Sequence, residues 1–171
     1  MAGITVGSTG NTSSVSSTNL NINDWSPDVL AFYLAIQQTQ NLDQQINDKL
    51  QQIQGKQADM AKAREYLAKM KELQNLAGDN GITRMPDDMK KWLNDHGISY
   101  DRTGNDDMHS KKDWDINIEH LNAYIQNNNS SVELDMLSIQ SLMNKRNQAL
   151  EMASTIMKKS AELKESILRN I

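Results

Sequence analysis

The last forty residues, Val132-Glu-Leu-Asp-Met-Leu-Ser-Ile-Gln-Ser-Leu-Met-Asn-Lys-Arg-Asn-Gln-Ala-Leu-Glu-Met-Ala-Ser-Thr-Ile-Met-Lys-Lys-Ser-Ala-Glu-Leu-Lys-Glu-Ser-Ile-Leu-Arg-Asn-Ile171, contain neither glycine nor proline. Met136, Met143, Leu150, Met157 and Ile171 share one heptad position, interrupted by Lys164. Ile139, Ala153 and Ile167 share its partner position, interrupted by Arg146 and Ser160, and Leu142, Ala149, Ile156 and Leu163 widen the stripe. An apolar residue recurring at this spacing specifies a long helix, and three apolar positions per heptad make a face broad enough for more than one neighbour. Lys164 and Arg146, charged within the seam, read as devices that set register.

A second long helix is written upstream. Ser26 can cap it, Pro27 suits its first turn and Asp28 complements the positive end of its dipole. No proline follows until Pro86, and Gly78, Asn80 and Gly81 supply a stop, so the helix is expected over 26–77. Ile46, Ile53, Met60 and Leu67 recur every seven residues, with Leu50, Ala63 and Met70 adjoining. Gly55 weakens this seam and leaves open whether the helix is continuous. The first turns, Val29 to Ile36, are apolar around the whole circumference. Two readings fit: a helix end tucked between others, or a surface covered by neighbouring subunits.

Between the long helices the chain is broken into short pieces. Pro86 to His96 reads as a short helix closed by Gly97, residues 99–115 as a polar loop, Ile118 to Gln126 as a second short helix and Asn127 to Ser131 as a turn. The fold class expected is therefore all-α: a long antiparallel helical hairpin, or coiled coil, with a short irregular insert of small helices at 78–130 and the C-terminal helix at 131–171. Residues 23–171 form one helical domain. Residues 1–22, mostly Ser, Thr, Asn and Gly, have too little to bury and are expected to be disordered.

Composition narrows the function. The chain has 171 residues, 18 basic against 22 acidic side chains, a net charge of −4 and no cysteine. Its mass is 19.3 kDa, its pI about 5.3 and its mean hydropathy −0.68. No basic excess exists for nucleic-acid binding, the hydropathy argues against an integral membrane protein, and neither thiolate zinc sites nor cysteine nucleophiles are possible. His96, His109 and His120 are isolated and are expected to be exposed, and Asp113, Asp115 and Asn117 open a calcium-loop pattern that fails at Ile118 and Tyr124. Asp106, Asp107 and His109 lie in a polar loop with little to desolvate them. No catalytic, cofactor or metal residue is expected. Met136, Met143, Met152 and Met157 are either core filler or part of an interface able to repack against several partners.

In these parts the chain resembles the hydrophilic translocators of bacterial type III secretion, nearest the EspA/SseB-like filament and needle-tip group. The resemblance is carried by the polar start before Val29–Ile36, by Pro86-Asp87-Asp88 through Trp92 to Gly97-Ile98, by Leu121-Asn122-Ala123, and by the tail from Leu134-Asp135-Met136 to Ile171. It spans about four-fifths of the chain, as pattern more than chemical fingerprint. The larger tip proteins carry a mixed central domain and an extra N-terminal hairpin for which the insert has no room.

The resemblance implies a secreted structural subunit at the bacterial surface, a homo-oligomer or filament. It would link the needle subunit to the pore-forming translocator proteins, with no membrane insertion of its own. Residues 1–22 would be the export segment, and a helical export chaperone would cover the apolar helix start. The assembly interface expected comprises Val29, Leu30, Phe32, Tyr33, Met136, Ile139, Met143, Leu150, Ala153, Met157, Ile167 and Ile171. The alternative reading is an intracellular helical binding module, a secretion chaperone or regulator.

Overall fold

The computed structural model describes residues 25–104 and 107–170. In chain order it contains α1 (Pro27–Ala77), β1 (Ile82–Arg84), α2 (Asp87–Asp95), β2 (Met108–Ser110) and α3 (Lys111–Arg169). The expected export segment at 1–22 lies outside the described residues, as do Asp106 and Ile171.

Helix α1 begins where its local signals place it, with Val29 N–H donating to Ser26 Oγ at 3.4 Å. It ends at Gly78, whose φ of +59° is open to glycine and strained for most other residues. Gly81 closes the turn by donating to Ala77 O at 2.9 Å, and a Cβ at Gly81 would stand 2.4 Å from that oxygen. The helix is continuous through Gly55, where an added Cβ would meet nothing within 4 Å. Gly55→Ala is therefore expected to stabilise the chain by about 0.5–1 kcal/mol, removing backbone entropy from the unfolded state without a clash. A thermal melt should show a midpoint roughly 1–4 °C higher.

Helix α3 departs from expectation. It starts at Lys111 and runs unbroken to Arg169, absorbing both the short helix expected at 118–126 and the turn expected at 127–131. Asparagine and serine in that stretch are weak helix formers, but packing on either side outweighs them: Leu121 and Ile125 before it, and Asp135 and Ile139 after it, are all buried. A capping box opens the helix. Asp113 N–H donates to Ser110 Oγ at 3.3 Å, while Ser110 N–H donates to the Asp113 carboxylate at 2.8 Å. The insert is therefore 78–110 rather than 78–130. Among the described residues it holds one helix, α2, and a two-stranded antiparallel sheet that pairs Thr83 with His109.

The two long helices pack against each other, as their heptads require, and run antiparallel, as the short insert between them implies. Across them Gln74 meets Asp115, Lys56 meets Ser131, Lys49 meets Asp135 and Asp43 meets Arg146. The broad core sits at the insert end. There Ala63, Tyr66, Met70 and Ala77 of α1 and Trp114, Leu121 and Ile125 of α3 enclose Met85, Met89, Leu93 and Ile98. Away from it the hairpin is two helices thick, and only a narrow seam is covered: Ala35, Thr39, Leu42 and Ile53 with Asp135, Ile139, Ala149 and Ala153. No helix among the described residues is long and apolar enough to cross a membrane.

Candidate functional site

A two-helix seam has consequences for what remains outside it. One helix neighbour covers a stripe of α3, and the residues flanking that stripe face solvent. Met136, Met143, Leu150 and Met157, seven residues apart, are 54%, 51%, 38% and 55% exposed and form a continuous apolar row along one flank. Val132, Leu137 and Gln140 extend it into an open groove at its upstream end. On the other flank Leu134, Met152 and Leu163 are exposed singly.

The register of the hairpin leaves a second surface bare. Continuing the cross-helix pairs, Pro27 stands opposite the turn around Ser160, so α3 overhangs the start of α1 by about 14 Å at 1.5 Å per residue. From Ala161 to Asn170 every residue is exposed, including Leu163, Ile167 and Leu168. Val29, Tyr33 and Leu34 are exposed at the beginning of α1, where Trp25 meets Tyr33 edge-on at 5.0 Å.

The expected interface residues thus separate into groups. Val29, Tyr33, Met136, Met143, Leu150, Met157 and Ile167 are open to solvent, and Leu30 and Phe32 are half-buried. Ile139 and Ala153 are buried in the seam between α1 and α3, so they hold the hairpin together, although Ile139 also lines the floor of the open groove. Ile171 is outside the described residues. By type alone Ile139 and Met143 are interchangeable; only the α1 partner distinguishes inside from outside.

No family model, no curated protein and no solved structure matches this chain. The surface has to be read from its own chemistry.

Three charges lock the register that presents the row. Lys49 Nζ and Lys56 Nζ donate to the two oxygens of Asp135 at 2.8 and 2.6 Å. Those hydrogen bonds hold the Asp135 carboxyl below its usual range, against the opposing effect of burial. Arg146 reaches Asp43 at 2.5 Å, the cross-helix role expected of a charge in the seam, whereas Lys164 lies on the exposed overhang. The Asp135 triad was missed in the sequence; its signal is the seven-residue interval between Lys49 and Lys56 on the α1 seam.

The residues that would suggest reaction chemistry are dispersed into structural roles. His96 stacks on Trp92 at 4.0 Å and faces Asp59 at 3.3 Å. His120 Nδ1 lies 2.9 Å from Ser99 O. His109, expected to be exposed, is fully buried. Asp107 is drawn below the usual carboxylate range, chiefly by the hydrogen bond from Lys90, so its loop does perturb it. Asp113 serves the capping box, Asp115 accepts from Gln74 at 2.5 Å and Asn117 is buried. Among the described residues no group of three or more His, Asp or Glu is placed to hold a metal ion.

Proposed function

We propose that the chain is a secreted structural subunit of a bacterial type III needle tip or translocation filament. In this reading copies assemble through the outward row of α3 and connect the needle subunit to the pore-forming translocators. The observation that supports it most is the row itself. Apolar side chains at seven-residue intervals on a rigid helix suit another helix lying alongside, and a two-helix hairpin has none left to provide. The overhang of α3 adds apolar surface at the end where the export segment joins. Where the row of one copy packs on a different face of the next, the contact is head-to-tail and extends into a filament when the rotation between copies does not close a ring. The absence of cysteine fits passage through a secretion channel, since no cross-link has to be broken to unfold the chain.

Light scattering on a size-exclusion column across a concentration series, followed by negative-stain microscopy, tests this reading. Mass that rises with concentration, or filaments on the grid, is the expected result. A strict monomer at high concentration would sink intrinsic self-assembly and favour an intracellular module that binds some other helix.

A further inference from the structure

His109 is the middle residue of β2 and is fully buried. Its ring packs on Trp114 at 4.6 Å between centroids and faces Tyr100 at 6.2 Å. Opposite it in the sheet, Thr83 Oγ1 donates to Leu73 O of α1 at 3.0 Å and accepts from Trp114 Nε1 of α3 at 2.8 Å. The Thr83–His109 pair is therefore where the insert is fastened to both long helices.

The side-chain hydrogen bonding around the ring favours its neutral form. Asn117 Oδ1 accepts from Asp101 N–H at 2.6 Å, and Asn117 Nδ2 donates to Asp101 O at 2.9 Å, which fixes the amide's orientation. That same Nδ2 stands 3.3 Å from His109 Nδ1, so Nδ1 must be the acceptor and Nε2 carries the proton. Nε2 has no partner among the described residues. A proton added at Nδ1 would set two donors against each other in a site closed to water.

The neighbouring groups give only partial relief. Asp113 on α3 already accepts from Ser110 N–H and Oγ and from Thr103 Oγ1. Asp107 is held by Lys90 of α2 at 2.6 Å and faces Arg102 at 3.6 Å. The backbone carbonyl of Asp101 favours the charged ring, and Arg102 opposes a second positive charge. Burial outweighs the backbone hydrogen bond to Asp101 and the attraction of Asp113 and Asp107, and pushes the imidazole below its ordinary value of 6.5.

We propose that β2 and residues 99–104 form an acid-opened latch: uptake of a proton by His109 releases them from the start of α3, while the long helical seam stays closed. The latch rests on the insert's geometry and makes no use of the assembly row. The direction follows from linkage. The opened state binds the proton more readily, so the latch is secure above pH 6.5 and loosens as pH falls below that value.

Hydrogen exchange on the full chain at pH 7.4 and 5.5, corrected for intrinsic rates, tests it. Protection at 99–104 and 107–110 should drop severalfold at the lower pH, towards the ceiling of roughly tenfold that an opened-state value of 6.5 sets, and at 42–60 and 135–153 less than twofold. His109→Phe keeps a ring against Trp114 and cannot titrate, so its protection should not change with pH. Equal loss along the whole chain, no loss, or the same loss in His109→Phe would overturn the proposal. Should that variant fail to fold, a wild-type NMR titration of the His109 ring decides. A midpoint coinciding with the loss of protection supports the latch; a ring that titrates with protection intact refutes it.

Discussion

Replacing Met143 and Leu150 together with aspartate is expected to abolish self-association and leave the monomer folded. Both side chains are outside the hairpin seam, 51% and 38% exposed, so the variant loses little intramolecular packing. Substitutions at such positions usually change stability by no more than about 0.5 kcal/mol each, which keeps the melting midpoint within a few degrees. In an assembled seam the same positions would be desolvated. Losing the burial of two apolar side chains forfeits about 1–3 kcal/mol apiece, and each unpaired carboxylate adds a desolvation cost of its own. The dissociation constant should therefore rise by at least roughly a hundredfold, since about 1.4 kcal/mol is a factor of ten. Leu134→Asp, on the opposite flank, is the control and should assemble as wild type does. If the double variant still assembles at wild-type concentration, the row from Met136 to Met157 is not the interface. Loss of assembly in Leu134→Asp alone would move it to the other flank. If the proposed function holds, the double variant should be exported in secretion assays and fail to support translocation.

Where the chain was legible, the signals were local or periodic. Ser26-Pro27-Asp28 and Gly78 act on the backbone beside them, so both ends of α1 could be read from a few residues. The heptads of both helices forced them to pair, because each buries a stripe only against the other, and the short insert between them made the pair an antiparallel hairpin. What could not be read depended on contacts distant in sequence. Asn127 to Ser131 has the composition of a turn, and its continuation as helix is decided by packing of the residues on either side. Strands of three residues are too short to show an alternating period, so the β1–β2 pair left no trace, and with it went the burial of His109. The candidate surface was legible as apolar content, but not as a side. Ile139 and Ala153 belong to the same repeat as the exposed methionines, and their assignment to the interior awaited the position of α1.

The insert end, where the core is broadest, should be the most sensitive part of the molecule, and Trp114→Ala measures this. Trp114 is fully buried, packs in the cluster with Met85, Met89 and Leu93, and ties α3 to β1 through Thr83 Oγ1 at 2.8 Å. Truncating a buried tryptophan costs about 3–5 kcal/mol, a large part of the roughly 5–15 kcal/mol that holds a typical domain together. At about 2–4 °C per kcal/mol, the melting midpoint should fall on the order of 10 °C. Trp114→Phe keeps most of the volume and removes the indole N–H, while Thr83 Oγ1 still donates to Leu73 O, so its penalty should be smaller, about 1–2 kcal/mol. The distribution of damage carries as much information as its size. Because the seam from Ala35 to Ile53 shares no contact with Trp114, hydrogen exchange in Trp114→Ala should accelerate first at 82–104 and 107–121. A midpoint lowered by less than about 3 °C would mean that the long seam, and not the insert core, governs stability. In that case a hairpin two helices thick would be stable on its own, and the outward apolar row would be free to serve neighbours without being needed for folding.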